Sequence, residues 1–521
     1  MSVRGSQIRE RALDELTAHT FDVLVIGGGI VGARAALEAA RAGLRAALVE
    51  AGDFGGGTSS TSGKLIHAGL RYLRSGNVQL VRQAHRERRI LTNQIAPHLV
   101  HRLPLLLATA EHGLARLATI AAGPLAYWAL DGLRSPAPRF FEEPGPLLPA
   151  LQEMGSGTFL EEAVTDDARL TLATVKAAVR AGAVAVNHAR VVELQSSGRG
   201  VSRAKIETRE DFFEVRCWSV INATGPWLDH IRLLQDPKRR PAIRLSKGVH
   251  LALSLDDDWP VAIAHALDSK SHAYAVPWHG MLLLGTTDTV YEGDPSSVAP
   301  EADDEASLLD AASRFLPGEM LEPERVRCSF AGLRVLPPGD GTTSDASRDH
   351  IIRVDPGGMV SVGGGKLTTH RIIALDALRN LPTRVRPRRL RPTLDPLPGA
   401  SVPDMRVLRT VLDEPVAEHL VRLYGGEAGL LLRYTAHGDA LERIHPASPD
   451  IWAQAYHAAD EEWAITVEDI VRRRTTLGIR GTETGEVEAR LATVLHRGFA
   501  IRRSTAMDSS VSSAYILGQD V

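Results

Sequence analysis

The segment that decides the fold is FDVLVIGGGIVGARAALEAARAGLRAALVEAG, Phe21 to Gly52. Val23 to Ile26 is an apolar run of strand length, Ala33 to Ala42 is an alanine-rich helix, and Ala46 to Val49 is a second apolar strand. Between the first strand and the helix, Gly27, Gly29 and Gly32 fall in the spacing G-x-G-x-x-G. That spacing meets three needs: a tight turn, close approach of backbone to a pyrophosphate, and close packing of helix on strand, with the phosphate at the positive start of the helix. Glu50 ends the second strand 18 residues after Gly32. A carboxylate there accepts hydrogen bonds from both hydroxyls of a ribose and repels a 2′-phosphate. A glycine-rich turn without a ligand has no need of an acid at that spacing.

The same alternation recurs further along. RLTLATVKAAVRAGAVAV, from Arg169, predicts a helix, a stop at Gly182 and a strand, and EVRCWSVINATG, from Glu214, predicts one strand running into a glycine turn. Alternating strands and helices indicate an α/β fold with a Rossmann-like dinucleotide-binding domain over residues 1–385. Residues of about 101–165 and 245–325 do not alternate and read as an interleaved α+β substrate domain. NLPTRVRPRRLRPTLDPLPGASVPD, Asn380 to Asp404, holds six prolines and five arginines without apolar period, so 386–404 is expected to be a linker. Beyond it, TVEDIVRRRTTLG opens with Thr466 three residues before Asp469, a capping box, and closes at Gly478, placing a C-terminal helical domain at 405–521.

Composition narrows the function. At 521 residues the chain has room for two or three domains, and 60 basic against 63 acidic residues carry no nucleic-acid signature. Cys217 and Cys328 alone cannot supply a disulfide framework or a cysteine metal cluster, which fits a reducing compartment, and no metal site is expected. The start, MSVRGSQIRERALDEL, has no apolar core of a signal peptide, so a cytoplasmic location is expected. LATIAAGPLAYWAL, Leu117 to Leu130, is shorter than the roughly 20 residues of a membrane span. It reads as core, with a membrane-surface position as the alternative.

Three further segments point to FAD rather than NAD. GGGTSSTSGKLIH follows the acid and offers Thr58, Ser59 and Ser60, then Lys64, Leu65 and His67, to a pyrophosphate and flavin channel. INATGPW brings Ala223, Gly225 and Trp227 against the dinucleotide. VSVGGGKLTTH sets Gly364, Gly365, Lys366, Leu367 and Thr368 at a strand end before a helix beginning near Leu367, whose positive end suits the anionic edge of a reduced flavin. GKLIHAGLRYL, Gly63 to Leu73, interleaves Lys64, His67 and Arg71 with apolar residues. Its two glycines favour a loop entering a site over a surface helix.

Taken together, VIGGGIVG, TSSTSGKLIHAGLRYL, INATGPW, PWHGMLLLGTTDTVYEGDP, FAGLRVL and GGGKLTT resemble the FAD-dependent glycerol-3-phosphate dehydrogenases, in order from Phe21 to Thr369. EEWAITVEDIVRRRTTLG is similar to the family's C-terminal helical domain. The resemblance implies oxidation of sn-glycerol 3-phosphate to dihydroxyacetone phosphate, with electrons passed from FAD to a membrane quinone. It also implies a peripheral position on the inner face of the cell membrane; a homodimer is one assembly it allows. Gly63, Ala68, Val335 and His350 depart from the family's usual residues.

A dianionic substrate beside a flavin needs fixed cations. By resemblance Arg71, Arg334, Arg348 and Lys366, with Tyr72, form the substrate pocket; the alternative for each arginine is a buried ion pair. His67, with an ordinary pKa near neutrality, is the candidate base, beside Arg334 and Lys366. A structural histidine, or arginine-assisted transfer to water, are the alternatives to it. Other flavoenzymes of the fold, acting on hydroxy or amino acids, and a non-catalytic or tRNA-modifying flavin-fold protein are the competing readings; neither needs so large a cationic set. Two basic clusters, RQAHRERR from Arg82 and RVRPRRLR from Arg384, are candidates for contact with anionic lipid, the alternative being solvated surface.

Overall fold

The computed structural model describes residues 4–74, 76–108, 114–141, 157–197, 200–256, 258–267, 272–339, 343, 349–390 and 393–496. At its centre lies a six-stranded sheet in the spatial order His350–Val354, Val360–Gly364, Val220–Asn222, Val23–Ile26, Ala46–Val49, Val184–Val186. The inner pairings are parallel, and only His350–Val354 runs antiparallel to its neighbour. Strands of such a sheet are covered on both faces, which is why Val23–Ile26 and Ala46–Val49 are apolar throughout and wholly buried. Helices Ile30–Arg41, Asp167–Arg180 and His370–Arg379 cover one face, where Ala33, Ala36 and Leu37 pack with Leu172, Val175, Ile373 and Ala374. On the other face Leu24, Ile26, Ala47 and Val49 meet Leu16 of helix Arg4–Ala18 and Val191, Ile206 and Val215 of a small four-stranded sheet.

A second, ten-stranded sheet is built from later segments, among them Val100–Ala108, Gly157–Thr165, Arg244–Ser254, Met281–Gly285 and Val326–Leu336. Leu65–Ile66 pairs with Gly157–Thr165, so the chain crosses from the first sheet to the second directly after the glycine- and hydroxyl-rich segment. From Met405 onward the regular elements among the described residues are helices, apart from one isolated bridge, packed around Leu420, Leu431, Trp452 and Ile470. No helix among the described residues is long and apolar enough to cross a membrane.

Several expectations change. EVRCWSVINATG is two strands, not one: Phe212–Cys217 belongs to the small sheet and Val220–Asn222 to the central sheet. The helix after the glycine turn begins at Ile30 rather than Ala33, and its first N–H donates to the Ser59 hydroxyl at 2.9 Å. The Thr466 capping box forms, but its helix ends at Arg473, and Gly478 lies inside a further turn, Leu477–Arg480, that Gly481 closes with φ +60°. The described part of helix Leu114–Leu130 is not core: from 121 to 130 only Pro124 and Tyr127 are buried, and Leu125 is 43% exposed. The RQAHRERR cluster is largely consumed internally, Arg88 pairing with buried Glu162 and Arg89 with Asp131, which leaves Arg82 and Arg86 exposed.

Candidate active site

Local sterics explain the glycine motif. Gly27 has φ +104°, and a Cβ there would lie 2.7 Å from the Ala223 carbonyl oxygen. At Gly32 a Cβ would lie 1.9 Å from the Gly27 oxygen, so no side chain fits. Gly29 precedes Ile30 at the start of the helix and faces Ser59. Glu50 closes the turn: its carboxylate accepts from Gly28 N at 2.6 Å and from Gly52 N at 2.8 Å. Burial pushes this carboxyl above its ordinary pKa, and the two N–H groups oppose the shift. Backbone donors at a helix start, beside the Glu50 carboxylate, match a diphosphate and its ribose.

From this cradle a cavity of about 1540 Å³ runs between the two sheets. Drug-sized sites hold roughly 300–1,000 Å³, so a dinucleotide with a substrate beside it is a better match. Gly27, Gly29, Glu50, Thr58, Ser59 and Ser60 line one end. Ala223, Gly225, Trp227, Leu65 and His67 line its walls, with Gly364, Gly365, Lys366, Leu367 and Thr368 from the segment ahead of helix His370–Arg379. The two glycine-rich segments are stitched together, since Thr368 Oγ1 accepts from His67 N at 3.1 Å and donates to His67 O at 3.0 Å.

Fixed cations stand further along the same cavity. Arg334 reaches back from Val326–Leu336, its guanidinium held by the Thr287 carbonyl at 3.0 Å and the Thr286 hydroxyl at 2.7 Å. It lies flat against Gly248, whose missing side chain makes room for it. Lys366 places its ammonium 3.6 Å from the centre of the Tyr72 ring, over Gly69, where a Cβ would lie 2.3 Å from Nζ. Such a contact holds a cation without neutralising it. His250 stacks on Phe330 in the cavity wall, and burial, with Arg334 and Lys64, lowers its pKa to about 3.

Two expected cofactor residues are placed otherwise. Gly32 packs against Gly27 rather than facing the cavity. Lys64, 3% exposed, turns away: its ammonium donates to Asp167 and to the Ser60 carbonyl, both at 2.7 Å, because an unpaired buried ammonium is too costly. Arg348 and the side chain of Arg71 lie outside the described residues. His250 and Gly248 were missed by sequence reasoning, although Ser246, Gly248 and His250 interrupt the apolar strand Arg244–Ser254 at every second position, the mark of one face turned to a site.

A pyrophosphate cradle that opens into a chamber with its own cations needs both a redox dinucleotide and an anionic reactant, so fold and cavity define a dinucleotide-dependent oxidoreductase. Residues 22–373 match the family described as FAD dependent oxidoreductase, and residues 395–502 match the C-terminal domain of alpha-glycerophosphate oxidase. The chain is 34% identical over 508 residues to a glycerol-3-phosphate dehydrogenase of Mycobacterium leprae, covering 94% of this chain and 86% of that one. An aerobic glycerol-3-phosphate dehydrogenase of Staphylococcus saprophyticus is 30% identical, over 90% and 88% of the two chains. Among solved structures, the glycerol-3-phosphate dehydrogenase of Bacillus halodurans complexed with FAD is 27% identical, with a TM-score of 0.69 over 95% of this chain and 97% of that one. The chain belongs to the glycerol-3-phosphate dehydrogenases of the FAD-dependent oxidoreductase family.

Proposed function

We propose that the chain oxidises sn-glycerol 3-phosphate to dihydroxyacetone phosphate with FAD held in this cavity. The observation that carries the reading is the joining, in one cavity, of the cradle at Gly27–Gly29 and Glu50 to the cations Arg334 and Lys366. Bound in this cavity, FAD would supply a hydride acceptor for the hydrogen on C2 of the substrate. Arg334, with its fork already oriented by Thr286 and Thr287, binds phosphate oxygens bidentately. Lys366 adds a second charge from its seat on Tyr72. As the C2–H bond gives up its electron pair, the C2 hydroxyl proton passes to His67 and the C2–O bond becomes a carbonyl. Thr368, by gripping both backbone groups of His67, holds that base in register with Lys366 two residues away. Arg71 and Arg348 belong to the same proposed cationic set.

Further partners in this reading are a membrane quinone that takes the electrons onward, the inner surface of the cell membrane, and a second copy of the chain. The exposed apolar positions of helix Leu114–Leu130 and the exposed Arg384, Arg386, Arg388 and Arg389 support a peripheral membrane contact. Residues 1–385, 386–404 and 405–521 remain the proposed division into flavin unit, linker and helical unit. Anaerobic mixing tests the reaction: glycerol 3-phosphate should bleach the bound flavin, while lactate and amino acids should not. Bleaching by lactate or an amino acid, with none by glycerol 3-phosphate, would refute it.

A further inference from the structure

The C-terminal helical unit reaches back across the chain to the loop that carries Glu50. Asp53, 3% exposed, is the point of contact. Its carboxylate accepts from Arg473 Nε at 2.6 Å and from Arg474 Nη1 and Nη2 at 2.7 and 2.8 Å, with Asn187 Nδ2 a fourth donor at 2.9 Å. Arg474 is itself fully buried and fixed by the Glu462 carbonyl oxygen at 2.7 Å. Next to Asp53, Phe54 meets the edge of Trp463 at 5.4 Å between ring centres. The backbone carbonyl of Trp463 accepts from the same Asn187 amide at 2.9 Å.

What these contacts brace is the cradle. Phe54 fills the space beside Gly28, where a Cβ would lie 2.5 Å from its ring. Gly55 N donates to Gly28 O at 3.0 Å, and Gly28 N donates to Glu50 at 2.6 Å. Loop 50–55 is therefore tied to the glycine turn at both ends, and its middle is tied to the helical unit. A third link runs through the cavity wall: His188 N donates to Gly52 O at 2.7 Å, and the His188 ring meets Asp469 at 3.0 Å.

We propose that Asp53, Arg473, Arg474 and Trp463 are positioning residues for FAD, and that the helical unit, through them, sets how tightly the adenosine half of the cofactor is held. The inference rests on the FAD reading above and goes beyond it. The Glu50 carboxylate, held by Gly28 N and Gly52 N, is offered to a ribose only while loop 50–55 stays closed, and the arginines that keep it closed come from some 420 residues further along the chain. Asp53 makes no step of the chemistry. Its part is to spare the cofactor the ordering of the loop on binding.

The test is FAD affinity in the full-length protein stripped of flavin, followed by quenching of flavin fluorescence, with the melting temperature of each apoprotein measured alongside. Asp53→Asn and Arg474→Gln should raise the dissociation constant at least tenfold, and Arg474→Lys, which keeps the charge but loses the fork, should fall between them and the parent. Trp463→Leu is a neutral counterpart that should move the constant the same way. Arg180→Gln, which opens an exposed pair with Glu427 across the same interface, should leave it unchanged. Leu420→Ala lowers stability from within the helical core and should likewise leave it unchanged. Overturning results are a parent that binds FAD no better than Asp53→Asn and Arg474→Gln do, or a Leu420→Ala constant raised as far as theirs, which would reduce the effect to general stability. A parent that binds no FAD at all would overturn the function along with the inference.

Discussion

Gly248→Ala perturbs the substrate end without removing any charge. Gly248 lies within strand Arg244–Ser254, paired with Gly332, in extended backbone that alanine also adopts. A Cβ there would sit 2.4 Å from Arg334 Nη2 and 2.6 Å from Nη1, where ordinary contact begins at 3.4 Å, so the guanidinium must retreat by about 1 Å. The clashing atoms are the tip of a flexible side chain rather than backbone, so the sheet stays closed. A retreat of that size parts Arg334 from one charge-assisted bond to phosphate, worth about 1.5–3 kcal/mol. That predicts a loss of about 10- to 150-fold in kcat/KM for glycerol 3-phosphate, carried mainly by KM. Steady-state kinetics with an artificial acceptor, together with a flavin titration and thermal melting, separate the cases. A kcat/KM within threefold of the parent, in a folded and flavin-loaded variant, would show that Arg334 does not hold the phosphate.

Lys366→Ala should keep its flavin yet lose reduction by substrate by a factor of ten or more in anaerobic stopped flow; near-normal single-turnover reduction would remove Lys366 from the pocket. Gly32→Ala, with its Cβ 1.9 Å from a backbone oxygen, should express poorly or without flavin, and a stable yellow variant would contradict the packing described. Burial holds His250 and His370 at about 3 and His279 at about 4, all below the ~6.5 of an unfolded histidine. Each is neutral in the fold and charged when unfolded, so its contribution is complete above pH ~6.5 and falls by about 1.4 kcal/mol per pH unit as pH drops toward the folded value; a melting temperature that is flat from pH 6.5 to 4 would be inconsistent with this. Replacing Arg384, Arg386, Arg388, Arg389 and Arg391 by Gln should weaken pelleting with anionic vesicles at low salt, at about 1 kcal/mol per arginine, and equal pelleting would clear the linker of that role.

The parts of this structure legible in the sequence are those set by near neighbours. Gly32 is constrained by Gly27 five residues before it, so that part of the spacing carries its own explanation, as does the Thr466–Asp469 cap, whereas Gly27 and Gly29 face Ala223 and Ser59. Where one strand ends and another begins was harder to see. Cys217 and Val220 are both wholly buried, and nothing in their side chains says that the chain changes sheet between them. Helix Leu114–Leu130 misled for a related reason: an apolar run reports low affinity for water but not what covers it. His250 was legible in principle, by its place in the Ser246, Gly248, His250 alternation, but one polar strand position in an apolar run is a faint mark.

Cations were the least legible residues of all, and the reason is electrostatic. In the sequence Lys64 and Lys366 look alike, each in a glycine-rich segment. In the fold Lys64 meets Asp167, 103 residues away, and serves to fix the turn at Ser60, whose carbonyl it also binds. Lys366 instead rests over a Tyr72 ring in the wall of the cavity it lines. A buried cation is retained either by a carboxylate that cancels its field or by neutral groups that leave the field intact. The second kind presents more of its field to a phosphate, and which kind a lysine becomes is decided by partners far away in the chain. Arg334 combines the two: a hydroxyl and carbonyls orient its fork, and Asp288 lies 3.7 Å from Nη1. Arg88, Arg473 and Arg474, each pressed on a buried carboxylate, are of the first.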